Sequence, residues 1–255
     1  MLRGLYTAYT GMNAQQQRMD TISNNLANVN TTGYKKDGVF FESFKELYIS
    51  KINDPETSAN SRIGTMSFGV QIGETYVDHA QGSITQTGIV NHLAIQGDGF
   101  FVAGSLNEDG TFSEKYTRDG SFNLGPNGQL MTSDGLYVLG EEGPITVSNL
   151  NGLIISEQGD VFDGATRVGK IRMVGIEDPN KLNKLGGSLY DKTTESVEKA
   201  FEGTVMQGYL EASNVNSVEE MVNMINVMRS YESSQKVLTT YDSTLDQAVN
   251  QIGRM

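Results

Sequence analysis

The chain has 255 residues, with 19 Lys and Arg against 31 Asp and Glu, a net charge of −12. That balance argues against nucleic acid or an anionic membrane surface as partner. The lack of cysteine excludes disulfides, thiolate metal sites and cysteine nucleophiles.

Residues 1–30 carry a seven-residue apolar repeat. Leu5, Met12, Met19 and Leu26 form one series, and Ala8, Gln15, Ile22 and Val29 follow three residues behind. This is an a/d seam with a polar defect at Gln15 and weak points at Gly4 and Gly11, so a coiled-coil helix is expected over 1–32. Thr31-Thr32-Gly33 is its expected end, with Gly33 in a left-handed cap. Asn24, Asn25 and Asn28 flank the seam, where amides can donate and accept across a packed surface. Asn30 is assigned to the cap region.

Residues 33–69 are mixed, with a polar middle over 53–61, and read as an extended arm or linker. From 70 the period becomes two. VQIGETYVDHA, HLAIQGDGFFVAG and LYVLGEEGPITV read as strands, and Asp109-Gly110, Asp119-Gly120, Asn127-Gly128 and Asp134-Gly135 as turns between them. Most of the 29 glycines fall between 64 and 187, which strengthens a turn-rich antiparallel β domain over 70–203.

Residues 204–255 close the chain with a second helix. Met224, Tyr231, Leu238, Leu245 and Ile252 form a seven-residue series; Val227, Ser234, Tyr241, Ala248 and Met255 accompany it. Ser217 with Glu220 resembles a capping box, and Val218, Met221, Val222, Ile225 and Met228 widen the apolar face. The expected fold class is therefore α+β: long N- and C-terminal helices pairing as a coiled coil, a central antiparallel all-β domain and an extended arm. The two seams could close on each other within one chain. The C-terminal seam is the longer, and its surplus favours contact between subunits.

Signatures of chemistry are sparse. His79 and His92 have no second imidazole at helical metal spacing, and a structural role is expected for each. There is no G-x-S-x-G elbow and no phosphate loop. Asn107-Glu108-Asp109-Gly110 lacks the closing glutamate of a calcium loop and reads as a hairpin turn. No catalytic, cofactor-binding or metal-binding residue is assigned. MLRGLYTAYTGM lacks the apolar core of a cleaved signal, and no stretch is long enough to span a bilayer, so no membrane insertion is expected.

Four stretches carry a resemblance: SNNLANVNTTGYK (23–35), LAIQGDGFF (93–101), YTRDGSFNLGPNGQL (116–130) and GYLEASNVNSVEEMVNMINVMRSYE (208–232). They resemble, in order, segments of the flagellar basal-body rod and hook family. Asn24, Asn25, Asn28, Gly33, Asn214 and Asn216 stand in its terminal motifs. The resemblance implies a non-enzymatic, cofactor-free structural subunit of the bacterial flagellum basal body. It implies export by the flagellar type III apparatus and assembly with copies of itself and with other rod and hook subunits. The product would be a helical drive shaft carrying torque from motor to hook. The seam residues Leu5, Met12, Met19, Ile22, Leu26, Val29, Met224, Tyr231, Leu238, Leu245 and Ile252 would then pack between subunits, with the asparagines holding register. GEEGPITV (140–147) is similar to the proximal rod type, and residues 45–69 of the arm correspond to an extended stretch of the distal type; the proximal type is slightly favoured. The alternative reading is a self-contained secreted β-rich binding module with a terminal helical hairpin.

Overall fold

A computed structural model describes residues 2–50, 62–106 and 111–252. These form two compact units: residues 1–26, 37–76 and 217–255, and residues 27–36 and 77–216.

The first unit contains both long helices. Helix α1 spans Leu2–Ala27 and α2 spans Ser217–Gln247, followed by a π-helical turn at Ala248–Ile252. At 1.5 Å per residue, the 31 residues of α2 are about 46 Å long. Glu219 and Glu220 lie in its first turn, where carboxylates complement the exposed amides of a helix start. Helix α1 stops short of the expected end, so Val29 falls in the turn beyond it.

The expected coiled-coil pairing of the helices is not borne out. Leu5, Met12, Met19, Leu26, Met224, Tyr231, Leu238 and Leu245 are all only half-buried. Among the described residues, the buried apolar side chains of the two helices are Ala14, Ile22 and Val227. The side chain of Ile252 lies outside the described residues. The physical reason is that α2 carries two apolar stripes. Beside the heptad series, Val218 is 64% exposed, Met221 45%, Val222 52%, Ile225 51% and Met228 46%. A single partner helix covers one stripe and leaves the other in water.

Four strands complete this unit: β1 (Asp37–Ser43), β2 (Leu47–Ser50), β3 (Arg62–Met66) and β4 (Val70–Val77). β1 pairs with β4, and β2 with β3 in antiparallel register, so the expected arm is a two-stranded ribbon. Its local glue is aromatic. Phe40 stacks on Tyr76 with ring centroids 4.3 Å apart, and Tyr76 fills the space where a side chain at Gly38 would stand.

The second unit is antiparallel β structure. Phe100–Leu106 is its axis, flanked by Phe112–Thr117 on one side and Tyr137–Val138 on the other. Alternation along this strand serves two cores. Phe101 packs with Leu93, Ile95, Phe122 and Val161, while Phe100 and Val102 pack with Tyr116, Leu139 and Tyr190. A three-stranded sheet, Leu153–Ile155, Asp160–Asp163 and Thr166–Lys170, closes over the first core.

Two expected turns form as read: Gly128 and Gly135 take φ of 77° and 82° in tight turns. Asp109-Gly110 lies outside the described residues. Asp119-Gly120 is no hairpin turn. Both residues are buried, and a side chain at Gly120 would overlap the Leu93 carbonyl.

Candidate functional site

The motif residues at the two ends of the chain do not lie idle on helix surfaces. In the first unit the Asn25 side chain behaves as a strand partner. Its Nδ2 donates to the Asp37 carbonyl at 2.8 Å, and its Oδ1 accepts from the Asp37 amide at 2.9 Å. The residue is 1% exposed, so this amide serves an intrachain pairing. Asn28, in the second unit, accepts from the Thr31 hydroxyl and helps to hold the turn after α1.

In the second unit, residues 31–36 and 208–215 meet around a buried charge cluster. Lys35 and Glu211 are each 1% exposed, and Lys35 Nζ donates to Glu211 Oε1 at 2.5 Å and to the Ala80 carbonyl at 2.8 Å. Arg118 donates through Nη1 to Glu211 Oε2 at 3.1 Å and through Nη2 to the Gly97 carbonyl at 2.7 Å. The Gly82 amide also donates to Glu211 Oε1. One carboxylate thus holds two cations and a backbone amide. Burial lowers the Lys35 pKa, and Glu211 opposes that shift.

The backbone around the cluster is equally committed. Gly33 has φ of 66° and donates its amide to the Glu211 carbonyl. A side chain there would come within 2.4 Å of the Arg118 backbone, so only glycine passes. Thr32 donates to Asp119, which also accepts from Ser121 and Ser133. Asn214 accepts from the Lys36 amide at 2.8 Å and donates to the Asp78 and Ala80 carbonyls. Lys184 Nζ stands 4.1 Å from the centre of the Tyr34 ring and donates to the Lys35 carbonyl.

His79 borders this cluster, with its ring against Phe100 and Tyr190. Burial, reinforced by Lys35 and Arg118, lowers its pKa to about 4; Asp78 acts in the opposite direction and Lys184 in the same one. The consequence for stability has a definite sign. Above pH 6.5 the ring is neutral in both folded and unfolded chains. As pH falls from 6.5 to about 4, only the unfolded chain takes up the proton, and stability falls. The loss approaches about 3 kcal/mol at most, at 1.36 kcal/mol per pKa unit. Urea unfolding of wild-type and His79→Gln chains between pH 7.5 and 4 checks this. The variant is expected to lose less stability over that interval, and parallel profiles would refute the assignment.

Of the remaining sequence-assigned residues, Ile22 is buried, Asn24 and Asn216 are exposed, and Leu5, Met12, Met19, Leu26, Met224, Tyr231, Leu238 and Leu245 present a half-buried stripe. In the sequence the second stripe of α2 reads only as a widening of the seam. No local signal marks the charge cluster, although the motif residues Gly33 and Asn214 stand beside it.

Known families match in three segments. Residues 5–35 match the family described as flagella basal body rod protein, 94–162 the D1 domain of flagellar hook protein FlgE/F/G, and 206–252 the C-terminal region of flagellar basal body rod FlgEFG protein. Gly33 and Lys35 fall in the first, Arg118 and Asp119 in the second, and Glu211 and Asn214 in the third. Over nearly the full length, the chain is similar to proteins named flagellar basal-body rod protein FlgG. It is 36% identical to that of Borreliella burgdorferi, covering 98% of each chain. It is 35% identical to that of Buchnera aphidicola subsp. Baizongia pistaciae, covering 96% of this chain and 98% of the relative. It is also 34% identical to flagellar basal-body rod protein FlgF of Caulobacter vibrioides, covering 97% of this chain and 98% of the relative.

Proposed function

The chain belongs to the flagellar basal-body rod protein family, and on that premise we propose that it is a self-assembling subunit of the rod, exported by the flagellar type III system and transmitting torque from motor to hook. Its place is the flagellar basal body. The observation that carries the assembly reading is the second apolar stripe of α2, from Val218 to Met228, which its own chain leaves in water. Copies of the same chain and neighbouring rod and hook subunits are the proposed cover. Helical stacking presents each subunit with several neighbours, and heterologous contacts of that kind extend as filaments. The heptad residues from Leu5 to Leu26 and from Met224 to Leu245 supply the remaining packing surface. The rival reading as a secreted binding module leaves that surface without a purpose.

Of the two positions within the rod, we assign the chain to the distal part. The paired strands within residues 37–50 and 62–77 support this. They include the described part of the stretch associated with the distal type, and Leu47, Tyr48 and Met66 on them are exposed. GEEGPITV, which favours the proximal type in the sequence, includes a tight turn closed by the Gly140 amide on the Gly143 carbonyl. Cryotomography of a strain lacking this chain is expected to find basal bodies with a short rod and no hook. Basal bodies without any rod would overturn the distal assignment, and motile cells with complete rods would overturn the function.

A further inference from the structure

The chain contains 11 methionines and no cysteine. Cysteine thiolates head the list of side chains that peroxides attack; with none present, the methionine thioethers come first. Met221, Met224 and Met228 follow one another on α2 and divide between its two faces. Met224, in the heptad series, is half-buried. Met221 and Met228 lie on the exposed stripe with Val222 and Ile225. We propose that Met221 and Met228 are modification sites for hydrogen peroxide, and that their conversion to sulfoxide stops assembly of the chain. The second half rests on the rod reading above, and the first half does not.

Access selects the two sites. Met221 and Met228 are nearly half exposed, so peroxide reaches them without any opening of the fold. Other methionines lie against backbone. Met131 Sδ is 2.6 Å from the place of a Cβ on Gly125, and Met173 Cε is 2.5 Å from that of a Cβ on Gly159. Met173 also packs against the first core. In the reaction a lone pair of Sδ attacks one peroxide oxygen. The S–O bond forms as the O–O bond breaks, and the sulfur loses two electrons. The departing hydroxide takes the proton of the transferred hydroxyl and leaves as water.

The product changes the character of the stripe. A sulfoxide is polar where the thioether is apolar. On the free chain it faces water, and the fold tolerates it as it does other surface changes. Under a neighbouring subunit it is desolvated among Val218, Val222 and Ile225, whose side chains donate no hydrogen bond. Each buried sulfoxide should weaken a subunit contact by about tenfold. A copy oxidised before assembly is therefore refused, and a copy already in place is shielded by its neighbour.

Two measurements test this. The purified full-length chain is treated with hydrogen peroxide, digested, and followed by mass spectrometry. Met221 and Met228, with Met66 on β3 as the exposed reference, are expected to gain oxygen severalfold faster than Met131 and Met173. In cells, Met221→Gln with Met228→Gln mimics the polar product, and Met221→Leu with Met228→Leu keeps both positions apolar. Both purified variants should retain wild-type far-UV circular dichroism. The Leu pair should swim and build complete rods, and the Gln pair should do neither. Equal oxidation at all four methionines, complete rods with the Gln pair, or missing rods with the Leu pair would overturn the proposal. Loss of fold in the Gln pair would overturn it too, because the stripe would then belong to the chain's own packing. The rod reading fails by a different result, complete rods in a strain lacking the chain, whatever the peroxide map shows.

Discussion

Glu211→Ala is expected to destabilise the second unit by about 3–5 kcal/mol, the usual cost of removing one partner from a buried ion pair. Against a typical total of roughly 5–15 kcal/mol, that is a large share of the stability. Among the described residues, Glu211 is the carboxylate paired with both buried cations, and it also accepts from the Gly82 amide. The two cations respond differently to its loss. Burial already lowers the Lys35 pKa, and without Glu211 nothing of equal size opposes that shift, so the ammonium can shed its proton. The Arg118 guanidinium cannot, and it remains a charge held only by the Gly97 carbonyl and the Phe100 face. Urea unfolding followed by circular dichroism reads the effect directly. Adding Lys35→Met to Glu211→Ala should return part of the loss, because one buried polar group left without its carboxylate is gone. A single-variant loss below about 1 kcal/mol would show that the cluster does not carry the stability its burial implies.

The cluster also marks where sequence reading ends. The terminal helices were legible because their periodicity is local: Leu5 to Leu26 repeats within one element. The β unit was legible for a similar reason, since Phe100, Phe101 and Val102 alternate and Asn127-Gly128 and Asp134-Gly135 announce their turns. Lys35 and Glu211, by contrast, are 176 residues apart, and Arg118 and Glu211 are 93 apart. Lysine, arginine and glutamate on a strand or loop normally face water, so nothing local signals their burial. The one usable sign was the company they keep, because each sits inside a stretch that carried the family resemblance. The asparagines misled in another way. On a helical projection Asn25 stands beside the seam and invites an intersubunit role, yet its amide is spent on the Asp37 backbone. The ribbon was hidden because Phe40, Leu47, Tyr48 and Tyr76 stay exposed, so its strands lack the clean alternation of a half-buried sheet. The coiled coil was over-read because a heptad count registers one stripe and is indifferent to a second.

That second stripe yields the other large effect, and it separates assembly from folding. Ile225→Glu or Val222→Glu places a carboxylate on a residue about half exposed in the single chain. Glutamate is a better helix former than isoleucine or valine. The isolated chain is therefore expected to keep its stability within about 0.5 kcal/mol, as surface substitutions usually do. In an assembled rod the same carboxylate is buried against a neighbour without a partner, a desolvation cost of several kcal/mol. Every subunit repeats it, so the penalty grows with the length of the assembly. Cells carrying either variant should be non-motile on soft agar and should lack complete rods in purified basal bodies, with normal levels of the chain. Leu238→Glu makes the contrast, because Leu238 is half-buried within the chain. It should lower the melting temperature of the isolated chain as well as block motility. Normal swimming with Ile225→Glu and Val222→Glu would mean that the stripe faces water in the rod too, and the assembly surface would have to be sought on the heptad seam or the exposed ribbon.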